Sequence, residues 1–162
     1  MQDNRGFTLI ELILVITILG ILAAIAIPKF TDLGKQARIS VLQSLAGTLS
    51  TTANQIRLLC LASSARSGCD PEARNWINSI DGKYYWLAYG WPDSGDQLNN
   101  GQIDATITYS GFLAVLAADK ASTRFELTGA PTPANCSVTY LDAWPTTSVP
   151  HDYAIQIDSS GC

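Results

Sequence analysis

The feature that most constrains this chain is an apolar run close to its N-terminus. Residues 7 to 27 contain one ionisable side chain, Glu11, in 21 residues. As a helix, a run of this length extends about 30 Å, which is the thickness of one bilayer core. A carboxylate inside such a helix costs about 2.5–3.5 kcal/mol. The sequence therefore predicts a membrane-spanning helix in which a partner of Glu11 offsets that cost.

The residues around the start of the run form an ordered motif. The polar leader MQDNRG ends in Gly6, and FTLIEL follows at once, with the apolar run continuing to Pro28. A secretory signal has the opposite order, with its cleavage site behind the apolar core. The motif resembles that of type IV prepilins. The resemblance implies that a prepilin peptidase removes residues 1–6 by cutting between Gly6 and Phe7, and then methylates the amine of Phe7.

The same resemblance implies a partner for Glu11. After cleavage Phe7 carries a positively charged amine, and in a bundle of such helices Glu11 of one subunit meets the amine of its neighbour. Each charge then offsets the desolvation of the other, and the pair sets the register between subunits. The plain alternative is a membrane anchor with an incidental acid.

Two residues of the apolar run affect helix regularity. Gly20 permits close helix approach or local loosening, and Pro28 removes a backbone hydrogen bond and favours a kink. Unwinding between Gly20 and Pro28 is implied by the resemblance alone.

Beyond Pro28 the chain becomes amphipathic, since apolar residues recur at spacings of three and four. These residues are Phe30, Leu33, Ala37, Val41, Leu45, Leu49, Ala53, Ile56 and Cys60. The sequence predicts one long helix over 7–62. Its part 7–28 is the transmembrane and filament-core segment, and its part 29–62 has one face for a head domain.

Residues 63–162 are expected to form that globular head, because turn residues separate several β-like runs. The predicted strands are 84–89, 103–109, 124–128, 137–141 and 153–157. Short helices are predicted over 71–80, with Asp70 as N-cap, and over 112–118. The predicted fold class is α+β, with an antiparallel sheet packed on the C-terminal half of the long helix.

Further segments resemble one branch of the type IVa pilins. They are PKFTDLGKQARISVLQSLAGTLS, YGWPDSG, NCSVTYLD and the final GC, and they resemble the mannose-sensitive haemagglutinin pilins. In the head this resemblance covers only short, separate segments, and it does not imply that the protein binds sugar.

The four cysteines allow three disulfide pairings. Their spacing contains no CxxC and fits no zinc pattern, and an even count outside the cytoplasm indicates disulfides. Nearest-neighbour pairing, Cys60–Cys69 and Cys136–Cys162, is the favoured hypothesis.

Charge and motifs exclude several functions. The net charge is −4, which argues against nucleic acid as a partner. Residues 29–66 hold five bases and one acid, whereas 70–162 hold eleven acids and four bases. Contacts between copies or a solvated surface would each explain this split. No catalytic triad or phosphate-binding loop is present, so neither enzymatic activity nor a cofactor is expected.

Two groups of residues in the head are weaker candidates for binding. The aromatic residues Tyr84, Tyr85, Trp86, Tyr89 and Trp91 suggest either a sugar-stacking platform or core packing with exposed strand aromatics. The loop 93–104 is rich in oxygen ligands, with Asp93, Asp96 and Asp104 as candidate calcium ligands. Its spacing fails the EF-hand template, which favours a solvated loop and no metal.

The function that the resemblance to type IV pilins implies is a structural one. The chain is expected to be a pilin of a type IV pilus, a homo-oligomeric filament that supports surface attachment and adhesion, with motility a further role. Its expected partners are the prepilin peptidase, the inner-membrane assembly machinery and the membrane itself. It is expected as a single-pass inner-membrane protein before assembly and an extracellular pilus afterwards. The alternatives are a pseudopilin of a type II secretion system and an anchored protein that never polymerises.

Overall fold

A computed structural model describes residues 7–62, 69, 74–78, 84–94, 102–118, 120–143 and 152–162, with the backbone alone for Thr31 and for 74–78. The chain divides into two compact units, Met1–Ala37 and Arg38–Cys162. The elements in chain order are α1 (Leu9–Ala62), β1 (Arg74–Asn78), β2 (Tyr84–Ala88), β3 (Trp91–Pro92), α2 (Ile103–Thr106), β4 (Phe112–Leu116), β5 (Ser122–Leu127), a 3₁₀ turn (Pro133–Asn135), β6 (Ser137–Leu141) and β7 (Ala154–Asp158). This confirms the α+β class and the long first helix.

The first unit contains the apolar part of α1. By length and composition α1 could cross a membrane, since its most apolar 18-residue window has a mean hydropathy of 2.9 and none of that window is buried. The backbone is helical at Gly20 and at Pro28. The unwinding that the resemblance implies for this stretch in a filament stays a prediction.

The second unit begins with the amphipathic part of α1. Its buried residues follow the predicted spacing of three and four, but the predicted stripe is correct only from Leu45 onward. The predicted residues before it, which are Phe30, Leu33, Ala37 and Val41, are exposed, and Leu42 is buried in place of Val41. The buried residues are Leu42, Leu45, Leu49, Ala53, Ile56 and Cys60. This stripe packs on the head, because Leu42 to Ala53 share one core with Phe125, Val138 and Tyr140, while Ile56 and Cys60 pack with Leu87.

The sequence predicts one antiparallel sheet, but the described strands form two. One has the order β1-β2-β3 and the other the order β4-β5-β6-β7, with all neighbours antiparallel. The sheets are joined directly, since the Tyr140 hydroxyl of β6 donates to the Pro92 carbonyl of β3 at 2.7 Å. The head core therefore lies between the C-terminal part of α1 and these strands.

The predicted helix over 71–80 is wrong, because β1 occupies part of that range. Trp76 of β1 stands opposite Trp86 of β2, and Ile77 stands opposite Tyr85. Cross-strand pairing of such β-favouring residues outweighs a local helix signal. The predicted cap Asp70 lies outside the described residues.

The strand predicted over 103–109 and the helix predicted over 112–118 are both wrong. The structure has a short helix in the first range and a strand in the second. Ile103 starts the short helix α2, where its N–H donates to Asp93 O at 3.1 Å and its side chain is buried. Residues 112–116 form β4 rather than a helix, because each has a partner on β5, from Phe112 opposite Leu127 to Leu116 opposite Thr123. Short apolar runs are ambiguous between helix and strand until a pairing partner is known.

Candidate assembly site

The start of α1 is held by a reciprocal set of hydrogen bonds between Thr8 and Glu11. The Glu11 N–H donates to Thr8 Oγ1 at 3.3 Å. In return, Glu11 Oε2 accepts from the Thr8 N–H at 2.9 Å and from the Thr8 hydroxyl at 2.7 Å. This is a capping box, in which the N-cap threonine and the glutamate three residues later satisfy each other's donors.

The capping box is a feature that the sequence reasoning missed, although its signal was present. Thr8-Leu9-Ile10-Glu11 has the spacing of a threonine followed three residues later by a glutamate before an apolar run. Glu11 therefore has a role inside its own chain as well as the predicted role between chains. The negative charge in the first turn also suits the positive end of the helix macrodipole.

The predicted ion pair of Glu11 is not made within the described part of this chain. There, the Glu11 side chain hydrogen-bonds only to Thr8, and its Oε1 atom has no partner. Phe7 lies just outside α1 with 81% of its surface exposed. The pairing of Glu11 with a neighbour's Phe7 amine therefore stays a prediction, and Gly6 lies outside the described residues.

The helix surface around this site is apolar and uncovered. Leu9 is 74% exposed and Ile10 is 76% exposed, and a Cβ added at Gly20 would meet nothing within 4 Å. A continuous apolar surface of this size is unfavourable in water and marks a site for lipid or for other chains. The capped carboxylate thus lies at the N-terminal end of a surface built for an apolar environment.

The structure contains both nearest-neighbour disulfides. Cys60 at the end of α1 is bonded to Cys69, and Cys136 is bonded to Cys162 with 4.9 Å between their Cα atoms. Arg38 of α1 also donates through Nε to Cys162 O at 2.7 Å. Residue 162 is therefore tied to the turn before β6 and to the helix.

The candidate calcium ligands do not form a metal site among the residues that the structure describes. Asp93 is fully buried and Asp104 is half-buried, where burial raises the pKa of the Asp104 carboxyl. Asp96 lies outside the described residues. Where the structure describes the chain, no three His, Cys, Asp or Glu residues group as metal ligands.

The candidate aromatic platform is divided among different surroundings. Trp91 is buried and Tyr89 packs against the same core, whereas Tyr85 packs with Leu87 near the end of α1. Tyr84 is 55% exposed. These side chains therefore do not form one shared stacking surface.

Comparison with known proteins assigns the N-terminus to a recognised motif. Residues 1–27 match the prokaryotic N-terminal methylation motif. A fimbrial protein of Moraxella nonliquefaciens is 40% identical over 86 residues, which are 52% of this chain and 53% of that protein. A type IV major fimbrial protein of Dichelobacter nodosus is 47% identical over 48 residues, or 30% of this chain and 31% of its own.

A third relative shares a shorter and more similar segment. A type IV narrow pilus major component of Thermus thermophilus is 67% identical over 33 residues, covering 20% of this chain and 28% of its own. The chain spans about half the length of the first of these relatives and less of the others. No solved structure matches the chain.

Proposed function

We propose that this chain, whose N-terminus carries the methylation motif and is similar to fimbrial proteins, is the structural subunit of a type IV pilus. The main observation in support of the proposal is that the methylation motif lies at the N-terminal end of an apolar helix whose surface is exposed. The Glu11 carboxylate at the start of that helix is costly in lipid, and pairing with a neighbour's amine would offset the part of that cost that Thr8 does not.

Processing is the first step of the proposed function. A prepilin peptidase cuts between Gly6 and Phe7 and methylates the Phe7 amine. Phe7 precedes α1 and is exposed, as expected of a residue next to a proteolytic cleavage site. Removing residues 1–6 also creates the positive charge that Glu11 of a neighbour is expected to meet.

Storage and assembly follow from the surface of the helix. Before assembly the apolar part of α1, residues 7–28, spans the inner membrane once, where lipid covers its exposed side chains. The assembly machinery then transfers it into a filament in which identical helices replace the lipid. Two opposite charges that pair in that core satisfy each other and fix the axial register.

The head has a structural role, and we propose no enzymatic one. Residues 63–162 form an outward domain on the amphipathic part of α1, which supports surface attachment. Two disulfides are typical of proteins that function outside the cytoplasm, as expected for an extracellular pilus. Membership of the mannose-sensitive haemagglutinin branch stays a prediction, since the relatives compared above are fimbrial proteins whose names do not mention that branch.

The decisive test is intact mass spectrometry of protein sheared from producing cells, with and without reduction. The expected mass lacks residues 1–6, carries one added methyl group, and rises by the mass of four hydrogens on reduction. A chain with its leader intact, confined to the membrane fraction, would refute the proposal. A processed chain that is never sheared from the surface would indicate a pseudopilin instead.

A Glu11→Gln variant separates the charge of Glu11 from its capping role. Glutamine keeps the capping box, because its side-chain oxygen still accepts from Thr8, but it cannot pair with a neighbour's amine. We expect normal insertion and cleavage and a loss of sheared filament. Thr17→Val is the control, since within the described residues the Thr17 hydroxyl donates to Leu14 O of its own helix. Filaments from Glu11→Gln at the wild-type level would contradict the proposed ion pair.

A further inference from the structure

The two oxygen atoms of Glu11 are used differently in the structure. Oε2 accepts two hydrogen bonds from Thr8, one from the backbone and one from the hydroxyl. Oε1 accepts none in the described part of the chain. A carboxylate can accept at both oxygens, so this arrangement leaves one oxygen for another donor.

We propose that Thr8 is a positioning residue for assembly. By holding Oε2 it fixes the Glu11 side chain before a neighbour arrives and leaves Oε1 for the Phe7 amine of a second copy of this chain. The inference rests on the proposed function, in which that amine is the partner of Glu11. It adds to that function a second residue, Thr8, whose hydroxyl strengthens the binding of the neighbour's Phe7 amine to Glu11.

The hydroxyl is the part of Thr8 that carries this role. A free glutamate side chain would have to lose its rotamer freedom during assembly, whereas here the loss occurs within the monomer. The two donors also satisfy part of the carboxylate while the helix is in lipid, where an unsatisfied polar group is strongly disfavoured. Pre-organisation of this kind strengthens association by removing an ordering cost from the binding step.

The test measures how well a tagged variant enters filaments made by untagged wild-type chain in the same cells. The amount of tagged protein in the sheared fraction is divided by the amount of processed tagged protein in the membrane. Thr8→Val keeps the side-chain volume and removes the hydroxyl. We expect its incorporation to fall about tenfold, in line with the loss of one hydrogen bond to a charged group. Thr8→Ser keeps the hydroxyl and should remain within about twofold of wild type.

A third variant separates positioning from simple helix capping. Glycine is nearly as good an N-cap as threonine, but it has no hydroxyl to hold Glu11. If Thr8 positions Glu11, the incorporation of Thr8→Gly into filaments should fall as far as that of Thr8→Val. If Thr8 only caps the helix, Thr8→Gly should stay close to wild type, and the inference is overturned.

The remaining outcomes are also decisive. Wild-type incorporation of Thr8→Val, or a Thr8→Ser variant as poor as Thr8→Val, overturns the role of the hydroxyl while leaving the pilus function in place. Absence of tagged wild-type chain from the sheared fraction would instead refute the proposed function itself.

Discussion

At the scale of single residues, Gly161 shows how closely the C-terminal segment is packed. A Cβ built there would lie 2.6 Å from Thr132 O and 2.7 Å from Asn135 Cβ. The Gly161 N–H donates to Asn135 O at 2.8 Å, and its carbonyl accepts from the Thr132 N–H at 3.1 Å. The nearest atoms are one backbone oxygen and the Cβ atoms of Thr132 and Asn135, and because a Cβ position is set by the backbone, none of them can rotate away from a new side chain.

We expect Gly161→Ala to lower the free energy of unfolding by about 1–3 kcal/mol, the usual cost of overpacking. Urea unfolding of the detergent-solubilised chain, followed by tryptophan fluorescence, measures the change. Gly129→Ala is the matched control, because a Cβ at Gly129 would meet nothing within 4 Å. Equal stability of the two variants would show that the segment around Gly161 adjusts freely.

A second residue-scale prediction concerns Asp158 at the end of β7. The Ser160 hydroxyl and N–H donate to Asp158 Oδ1 at 2.7 and 2.9 Å, and these bonds hold the pKa of the carboxyl below its ordinary value. Because the folded pKa is the lower one, the contribution of Asp158 to stability is present above the unfolded pKa. It is lost as the pH falls through the folded pKa.

Ser160→Ala removes the side-chain donor, so the pKa of Asp158 should rise toward its ordinary value. An NMR titration of the Asp158 carboxyl carbon measures this directly. Ser110→Ala, at an exposed serine of another loop, should leave the titration unchanged. A pKa of Asp158 that does not move in Ser160→Ala would show that the backbone N–H alone accounts for the shift.

At the scale of elements, an aromatic group attaches α1 to the strands. The ring of Tyr153 lies edge-on to Trp91, with 4.7 Å between centroids, and stacks on Tyr140 at 5.5 Å. Its hydroxyl lies 3.0 Å from Ser50 Oγ of α1. Arg57 of α1 lies over the Trp91 ring at 4.2 Å, a cation–π contact. The helix is thus fixed to the head by directed contacts as well as by its apolar stripe.

We expect Tyr153→Phe to lower the free energy of unfolding by about 0.5–1.5 kcal/mol, since it keeps the ring contacts and loses the hydrogen bonds to Ser50 and Asn54. Tyr109→Phe is the control. The Tyr109 ring packs edge-on against Phe125 at 5.2 Å, and within the described residues no hydrogen bond of its hydroxyl is seen. The same urea unfolding applies, and an equal loss in both variants would contradict a role for the Tyr153 hydroxyl.

At the scale of the whole molecule, the two disulfides constrain different parts of the head. Cys136–Cys162 closes a separation of 26 residues, and Cys60–Cys69 closes one of 9. Chain entropy assigns about 3.5 kcal/mol to the longer loop and about 2.7 kcal/mol to the shorter one. The longer loop also holds residue 162, whose carbonyl accepts from Arg38.

We therefore expect the double variant Cys136→Ala/Cys162→Ala to lose more stability than Cys60→Ala/Cys69→Ala. Parallel urea unfolding curves measure both losses, each in the range of about 2–5 kcal/mol. Reducing agent should destabilise the wild type and leave a variant that lacks both bonds unaffected. A greater loss in the Cys60/Cys69 pair would show that the end of α1, rather than residue 162, limits the stability of the head.

The sequence by itself determined the features that depend on a local and sustained pattern. The apolar run and the amphipathic stripe of α1 from Leu45 to Cys60 are each set by neighbouring residues along one helix, and the motif around Gly6 and Phe7 is a run of adjacent residues. The runs 84–89, 124–128 and 137–141 overlap β2, β5 and β6 closely, because each is rich in residues that favour strands.

Only the tertiary structure decided the features that depend on a partner distant in the chain. Residues 112–116 are a strand because β5 pairs with them. Residues 103–106 form a short helix, in which Ile103 is buried and bonds to Asp93 O. Arg38 contacts a carbonyl 124 residues away, which no local pattern indicates. Short segments have nearly equal helix and strand preferences, so the free energy of packing and pairing selects between them.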